Sequence, residues 1–172
     1  MNIRIRQASA EDAAAIVKIG AATFIEAFAA FNTTEGIQDY ISKNFYEEKI
    51  LEELNCPGSV FFLAFDADTV IGYTKLNTGD AQTEPQGADA LEIERIYVSA
   101  AYYGKAVGQL LMDTGINYAR QAGYRRIWLG VWEENQRALA FYRKVGFVPF
   151  GTHVFTIGKS DQTDIMMQQI LA

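Results

Sequence analysis

A chain of 172 residues, 49% hydrophobic and 21% charged, is long enough for one well-buried core and short for two, so a single domain over residues 1–172 is expected. Its one cysteine, Cys56, leaves no internal disulfide and no thiolate metal cluster, and no metal is expected. A net charge of −6 and a pI near 4.8 argue against a nucleic-acid partner and favour cationic ones, while the start MNIRIRQASAED lacks an apolar signal core and no uncharged apolar run nears the ~20 residues of a membrane span, so a cytoplasmic protein without a membrane partner is expected.

Ile3, Ile5 and Ala8 alternate into a first strand, and Ser9 with Asp12 marks a helix start that runs to about Ala22. From Phe24 to Leu54 the pattern is helical again, with Phe24, Phe28 and Phe31 on one stripe, a break near Asn32-Thr33-Thr34, and Ile37, Tyr40 and Ile41 resuming it. VFFLAF from Val60, the turn Asp66-Ala67-Asp68 and VIGYTKL from Val70 read as a hairpin. Asn77 to Ala90 reads as a loop, LEIERIYV as a strand ending at Val98, and Gly104 to Gln121 as a helix with Val107, Leu110, Leu111, Thr114 and Tyr118 on one face. RIWLGVW from Arg126 is a further strand, Asn135 a helix N-cap, and Ala138, Phe141, Tyr142 and Val145 the buried stripe of a helix closed by Gly146. THVFTI and DIMMQQI supply two more short strands, and their exposed edges would permit a homodimer.

The junction IYVSAAYYGKAVGQLL carries chemistry, because a strand there ends in a glycine-bearing turn that opens a helix. The first amides of a helix lack partners and attract anions, and Gly104 and Gly108 leave room for a phosphate to reach them. There is no GxxxxGK[ST] for a nucleoside triphosphate and no GxGxxG for a dinucleotide. By itself the turn is better explained as a tight strand-to-helix connection.

NQRALAFYRKVGF follows from Asn135 to Phe147, and together with YVSAAYYGKAVGQLL it resembles the GNAT N-acetyltransferase superfamily. The second segment matches that family's NxxAxxFYxKxGF pattern at Asn135, Ala138, Phe141, Tyr142, Lys144, Gly146 and Phe147. In the first, Tyr103 stands where the family's acetyl-CoA pattern has Arg or Gln, and Ala106 where it usually has Gly. The resemblance implies an α/β fold: a mixed, mostly antiparallel twisted sheet of about seven strands with splayed central strands, flanked by about four helices. It also implies acetyl-CoA as co-substrate, bound along Ile96, Tyr97, Val98, Tyr103, Gly104, Lys105, Ala106, Val107, Gly108 and Gln109, with Asn135 and Tyr142 facing the same arm. TFIEAFAAFNTTEGIQDYISKNF is similar to the helical region of the bacterial spermidine/spermine acetyltransferase branch, which would place Phe24, Phe28 and Tyr40 at the acceptor site; each is also accounted for as core.

Acetyl transfer to an amine needs a neutral nucleophile, a stabilised oxyanion and a protonated leaving thiol. Period-two geometry places Glu92 and Glu94 on one face of their strand, so either is a candidate base, their proximity raising the pKa of one, and either is also explained as a partner for a cation. By the resemblance Glu92 aligns with the base of some family members, an amide near Ile96 with the oxyanion donor, and Tyr142 with the acid for the thiolate. The expected activity is direct, sequential acetylation of a primary amine, with Cys56 remote from both motifs. The acidic composition tilts the acceptor towards a polyamine or other small cationic amine, the alternatives being a peptide N-terminus or lysine side chain and a non-catalytic acetyl-CoA sensor of the same fold.

Overall fold

The computed structural model describes all of residues 1–172. Strands β1 (Ile3–Gln7), β2 (Ser59–Asp66), β3 (Thr69–Thr78), β4 (Ala90–Val98), β5 (Arg126–Trp132), β6 (Val148–Ile157) and β7 (Ser160–Ile170) form one sheet in the order β1-β2-β3-β4-β5-β7-β6. Every neighbouring pair is antiparallel except β4 and β5, which run parallel. The helices are α1 (Ala13–Phe28), α2 (Thr34–Asn44), α3 (Glu47–Asn55), α4 (Val107–Gln121) and α5 (Gln136–Val145). One apolar cluster joins α1 and α2 to β2 and β3 through Ile16, Phe24, Ile37, Phe61 and Tyr73. A second joins α4 and α5 to β4 and β5 through Leu91, Ile93, Met112, Leu129 and Tyr142, so the helices cover both faces of the sheet.

The sheet has one irregularity that shapes the molecule. Leu76 of β3 faces Ile93 and Lys75 faces Arg95, which leaves Glu94 without a partner as a bulge in β4. The side chains report the same phase change: Ile93 and Ile96, three residues apart, both pack into the α4 cluster, where regular alternation would send them to opposite faces. At this point β4 and β5 part. Their pairing ends at Ile93 and Leu129, while β4 stays on β3 as far as Val98 opposite Gly72 and β5 stays on β7 as far as Trp132 opposite Asp164. Each strand is held by its outer neighbour, and a wedge opens between them.

Several expectations from the sequence need correction. No residue at Ala21-Ala22-Thr23 interrupts the first helix, since the Thr23 hydroxyl donates back to the Ile19 carbonyl at 2.7 Å, and the helix continues to Phe28. A further break at Phe45-Tyr46 makes five helices where about four are expected. Phe31 is 64% exposed, its ring edge-on to Trp132, and Leu110 is 41% exposed because Met112, Gly115, Ile116 and Ala119 join Val107 and Leu111 on the buried face of α4. Leu139, not singled out above, is the most buried residue of α5. The last two strands are longer than their motifs, and Ala8 lies just past β1. The helical stretch Ala10–Phe31 is apolar enough, at a mean hydropathy of 1.7, to span a membrane by length and composition. Here Ile16, Ile19, Phe24 and Phe28 spend that apolarity in the core.

A buried ionic cluster fastens α3 to the sheet beside the bulge. Glu53 accepts from the Arg95 guanidinium at 2.8 and 3.1 Å and pairs with Lys75 at 3.2 Å, and Lys75 and Arg95 also meet Glu94 at 2.5 and 3.5 Å. Lys75 and Arg95 are buried, so removing one of two anions strands cationic charge in a poorly solvated place. Glu53→Gln is expected to cost about 3 kcal/mol in urea unfolding. A loss below about 1 kcal/mol, the size of an exposed pair, would show that Glu53 is not what neutralises the cluster.

Candidate active site

The wedge between β4 and β5 is the throat of a cleft of about 980 Å³ that crosses the sheet from the turn before α4 to the aromatic side chains of α1 and α2. Its wall contains Glu92, Glu94, Ile96, Tyr97, Val98, Tyr103, Gly104, Ala106, Val107, Gly108, Gln109, Asn135 and Tyr142, together with Phe24, Phe28 and Tyr40. Residues far apart in sequence are thus brought to one surface. Lys105 is the exception among the expected contacts. Its amide donates to the Tyr102 carbonyl at 3.3 Å within the turn, and its ammonium lies 4.8 Å from the Tyr102 ring centroid, off the cleft wall.

At one end of the cleft the turn is built by two left-handed residues, Gly104 at φ +74° and Ala106 at φ +63°. They explain why α4 begins at Val107 and not at Gly104, since neither conformation continues a right-handed helix. The first amides of α4 have no side-chain cap. Nothing lies within 4 Å of where a Cβ on Gly104 would be, so the space over the turn is open. At Ala106 the methyl group makes the left-handed conformation cost about 1 kcal/mol, the physical reason that glycine suits this position. Asn135 caps α5 by accepting from the Ala138 amide at 3.1 Å, and also lines the cleft.

In the middle, the bulge separates the fates of the two glutamates. Glu92 is 3% exposed and accepts from the Thr83 amide at 2.8 Å, from the Thr83 hydroxyl and from Asn77 Nδ2 at 3.2 Å. Burial raises its pKa above the usual carboxylate value, against the pull of those donors, and the charge of Glu94 adds least. Burial acts in the same direction on Glu94, but Arg95 and Lys75 outweigh it and hold Glu94 below the usual value. The divergence therefore arises from burial and from the cations, more than from mutual repulsion. Tyr142 is buried between Phe141 and Phe147, and burial raises the pKa of its phenol, opposed by the charge of Arg137. No hydrogen bond to a protein group contributes to that shift.

At the far end Phe24 stacks on Tyr40 with ring centroids 4.2 Å apart and meets Phe28 at 4.7 Å, so these residues are both core and cleft wall. Trp132 and Phe155 extend the aromatic surface. Among them sits His153, whose Nε2 is 3.1 Å from Asp164 and whose Nδ1 is 3.0 Å from Glu84. A Cβ on Gly130 would stand 2.9 Å from the imidazole, so the glycine in the middle of β5 is what admits His153 over the strand. Thr83, Glu84, His153 and Asp164 escape sequence reading because they reach the cleft through long-range contacts. The only available signals were that His153 is the single histidine and that Gly130 interrupts an otherwise bulky strand.

The family model described as the Acetyltransferase (GNAT) family matches residues 24–147. The chain is 35% identical over 170 residues, 98% of each protein, to an uncharacterized N-acetyltransferase in the pepI 3′ region of Lactobacillus delbrueckii subsp. lactis. It is 25% identical over 173 residues, again 98% of each, to a spermidine N(1)-acetyltransferase of Thermoplasma acidophilum. Among solved structures, PaiA N-acetyltransferase from Thermoplasma acidophilum in complex with coenzyme A superposes with a TM-score of 0.82 at 24% identity, covering 99% of this chain and 100% of that one.

The His153 pKa is raised, first by the hydrogen bond with Asp164 and then by the charges of Asp164, Glu84 and Glu92, with burial opposing. A folded-state pKa above the unfolded value means that the stabilisation is complete below about pH 6.5 and is lost as pH rises through the folded value. The gap in urea midpoint between the wild type and His153→Gln is expected to be widest near pH 6 and to narrow as pH rises through the folded value. A gap independent of pH would show that the imidazole is held by packing alone.

Proposed function

The chain belongs to the GNAT acetyltransferase family, and from that premise we propose that its acceptor is a small polycationic amine of the polyamine class, acetylated by direct transfer. It is an acetyl-CoA-dependent N-acetyltransferase. The observation that carries the choice of acceptor is the far end of the cleft, where Glu84 and Asp164 share the wall with Phe24, Phe28, Tyr40, Trp132 and Phe155, and Glu92 lines the wall towards the middle. Carboxylates attract ammonium groups, and aromatic faces suit both the methylene spacers and the cations of a polyamine. The likeness to a spermidine N(1)-acetyltransferase supports the same reading.

The residues present fit acetyl-CoA, which supplies the acetyl group as a thioester. The uncapped amides of α4, with open space over Gly104, suit its phosphates. Beyond Ile93, β4 has no strand on its β5 side, so the backbone at Ile96 and Val98 can pair with the pantetheine amides as an added strand would, and an amide near Ile96 can donate to the thioester oxygen. Glu92 takes the proton that the incoming ammonium must lose, its raised pKa moving it towards the working pH. Glu94, tied to Lys75 and Arg95, holds the bulge and contributes negative charge. Tyr142 gives a proton to the departing sulfur; its phenol stays protonated at neutral pH and has no competing partner in the protein. Cys56 follows α3 and is absent from the cleft wall, which supports transfer without an acyl-cysteine stage.

CoA release with a panel of amines tests the reading. A polyamine is expected to exceed a monoamine of equal chain length by about tenfold or more in kcat/KM, the worth of one charge-assisted contact. A peptide N-terminus outperforming both would overturn the acceptor class, and bound acetyl-CoA without transfer to any amine would make the chain a sensor. In the same assay Tyr142→Phe is expected to lose roughly 10²-fold in kcat with little change in acetyl-CoA affinity. Glu92→Gln should flatten the acid limb of the rate–pH profile. A Tyr142→Phe variant with normal turnover and lowered stability would return that residue to the core.

A further inference from the structure

Arg137 occupies a place that ordinary helix energetics disfavours. It is the second residue of α5, where the helix dipole is positive, and no carboxylate lies within ion-pair distance of it. Its guanidinium lies instead over the Tyr103 ring, 3.5 Å from the centroid, and both side chains line the cleft beside Gly104, Ala106 and Gly108. An exposed, unpaired arginine between the starts of two helices, fixed by stacking, is a cation held ready for an anion. Tyr103 is also the position where the acetyl-CoA pattern has Arg or Gln, so the turn itself brings no polar group of that kind.

We propose that Arg137, seated on the ring of Tyr103, binds a phosphate group of CoA, so that the side-chain ligand that the turn lacks at Tyr103 is delivered from α5. The tyrosine is then a positioning residue: its ring face fixes the guanidinium, and its hydroxyl has no part in the contact. CoA offers two sources of this chemistry, the pyrophosphate beside the α4 amides and the 3′-phosphate on the ribose. The guanidinium recognises either by the same paired N–H geometry.

Calorimetric titration with CoA and with 3′-dephospho-CoA tests the proposal without relying on turnover. Arg137→Gln is expected to weaken CoA binding by about tenfold or more and to flatten its salt dependence, with the far-UV circular dichroism unchanged. Tyr103→Ala should weaken it in the same direction, and Tyr103→Phe should bind as the wild type does. The double variant Tyr103→Ala with Arg137→Gln should be no worse than Arg137→Gln alone, because the ring acts only through the guanidinium. If the partner is the pyrophosphate, Arg137→Gln penalises both ligands equally. If it is the 3′-phosphate, dephospho-CoA binds weakly to the wild type and is indifferent to the substitution. Wild-type affinity of Arg137→Gln for both ligands would overturn the proposal, as would a loss in Tyr103→Phe equal to that in Tyr103→Ala.

Discussion

The single-residue bulge at Glu94 is the constraint on which the rest of this structure depends. A strand carrying one extra residue cannot keep register with both neighbours, and β4 keeps it with β3. Its bond with β5 ends one residue before the bulge, at Ile93. From there two strands of one sheet diverge, each still paired on its outer side, and the cleft is the space between them. A gap in the middle of a sheet exposes backbone donors and acceptors that an intact sheet would satisfy, which is costly unless a ligand or water takes them. An arm with amide groups of its own is chemically suited to that edge.

The bulge also sorts charge. Because Glu94 and Arg95 fall on the same side of β4 as Glu53 and Lys75, two cations and two anions close on one another beneath α3. Glu94 is thereby kept ionised, while Glu92, two residues earlier, lies under the loop that carries Thr83 and is paired with no lysine or arginine. One carboxylate is drawn down in pKa and the other pushed up, a separation of roles that suits a structural anion next to a proton acceptor. Asn77, donating to Glu94 at 2.7 Å and to Glu92 at 3.2 Å, links the two.

What the sequence disclosed follows the range of the interactions involved. The strand-turn-helix from Val98 to Gln121 and the helix opened by Asn135 are local, written in glycine placement, capping and apolar spacing, and they located the cleft wall within a residue or two. Alternation along LEIERIYV placed Glu92 and Glu94 together, but could not reveal the bulge between Ile93 and Arg95, because a bulge is defined only against β3. For the same reason the cause of the glutamate pKa divergence, read as mutual repulsion, proved to be burial and the Lys75 and Arg95 charges. The aromatic residues at Phe24, Phe28 and Tyr40 were legible as core or as acceptor wall, and in the structure they belong to the core and also line the cleft. Lys105 lies off the cleft wall because a residue inside a tight turn spends its amide locally. His153 and Asp164, which meet across β6 and β7 over Gly130, left no local trace beyond a lone histidine and a glycine in a strand.

The central claim is that the open edge of β4 and the start of α4 together receive acetyl-CoA. Amide hydrogen exchange with and without CoA addresses it most directly, because the unpaired backbone beyond Ile93 and the uncapped amides of α4 exchange readily until something bonds to them. On adding CoA, exchange should slow in Glu94–Val98 and in Ala106–Gln109 and change little in the β2–β3 hairpin. Slowing confined to other segments, with both of these regions unaffected, would contradict it.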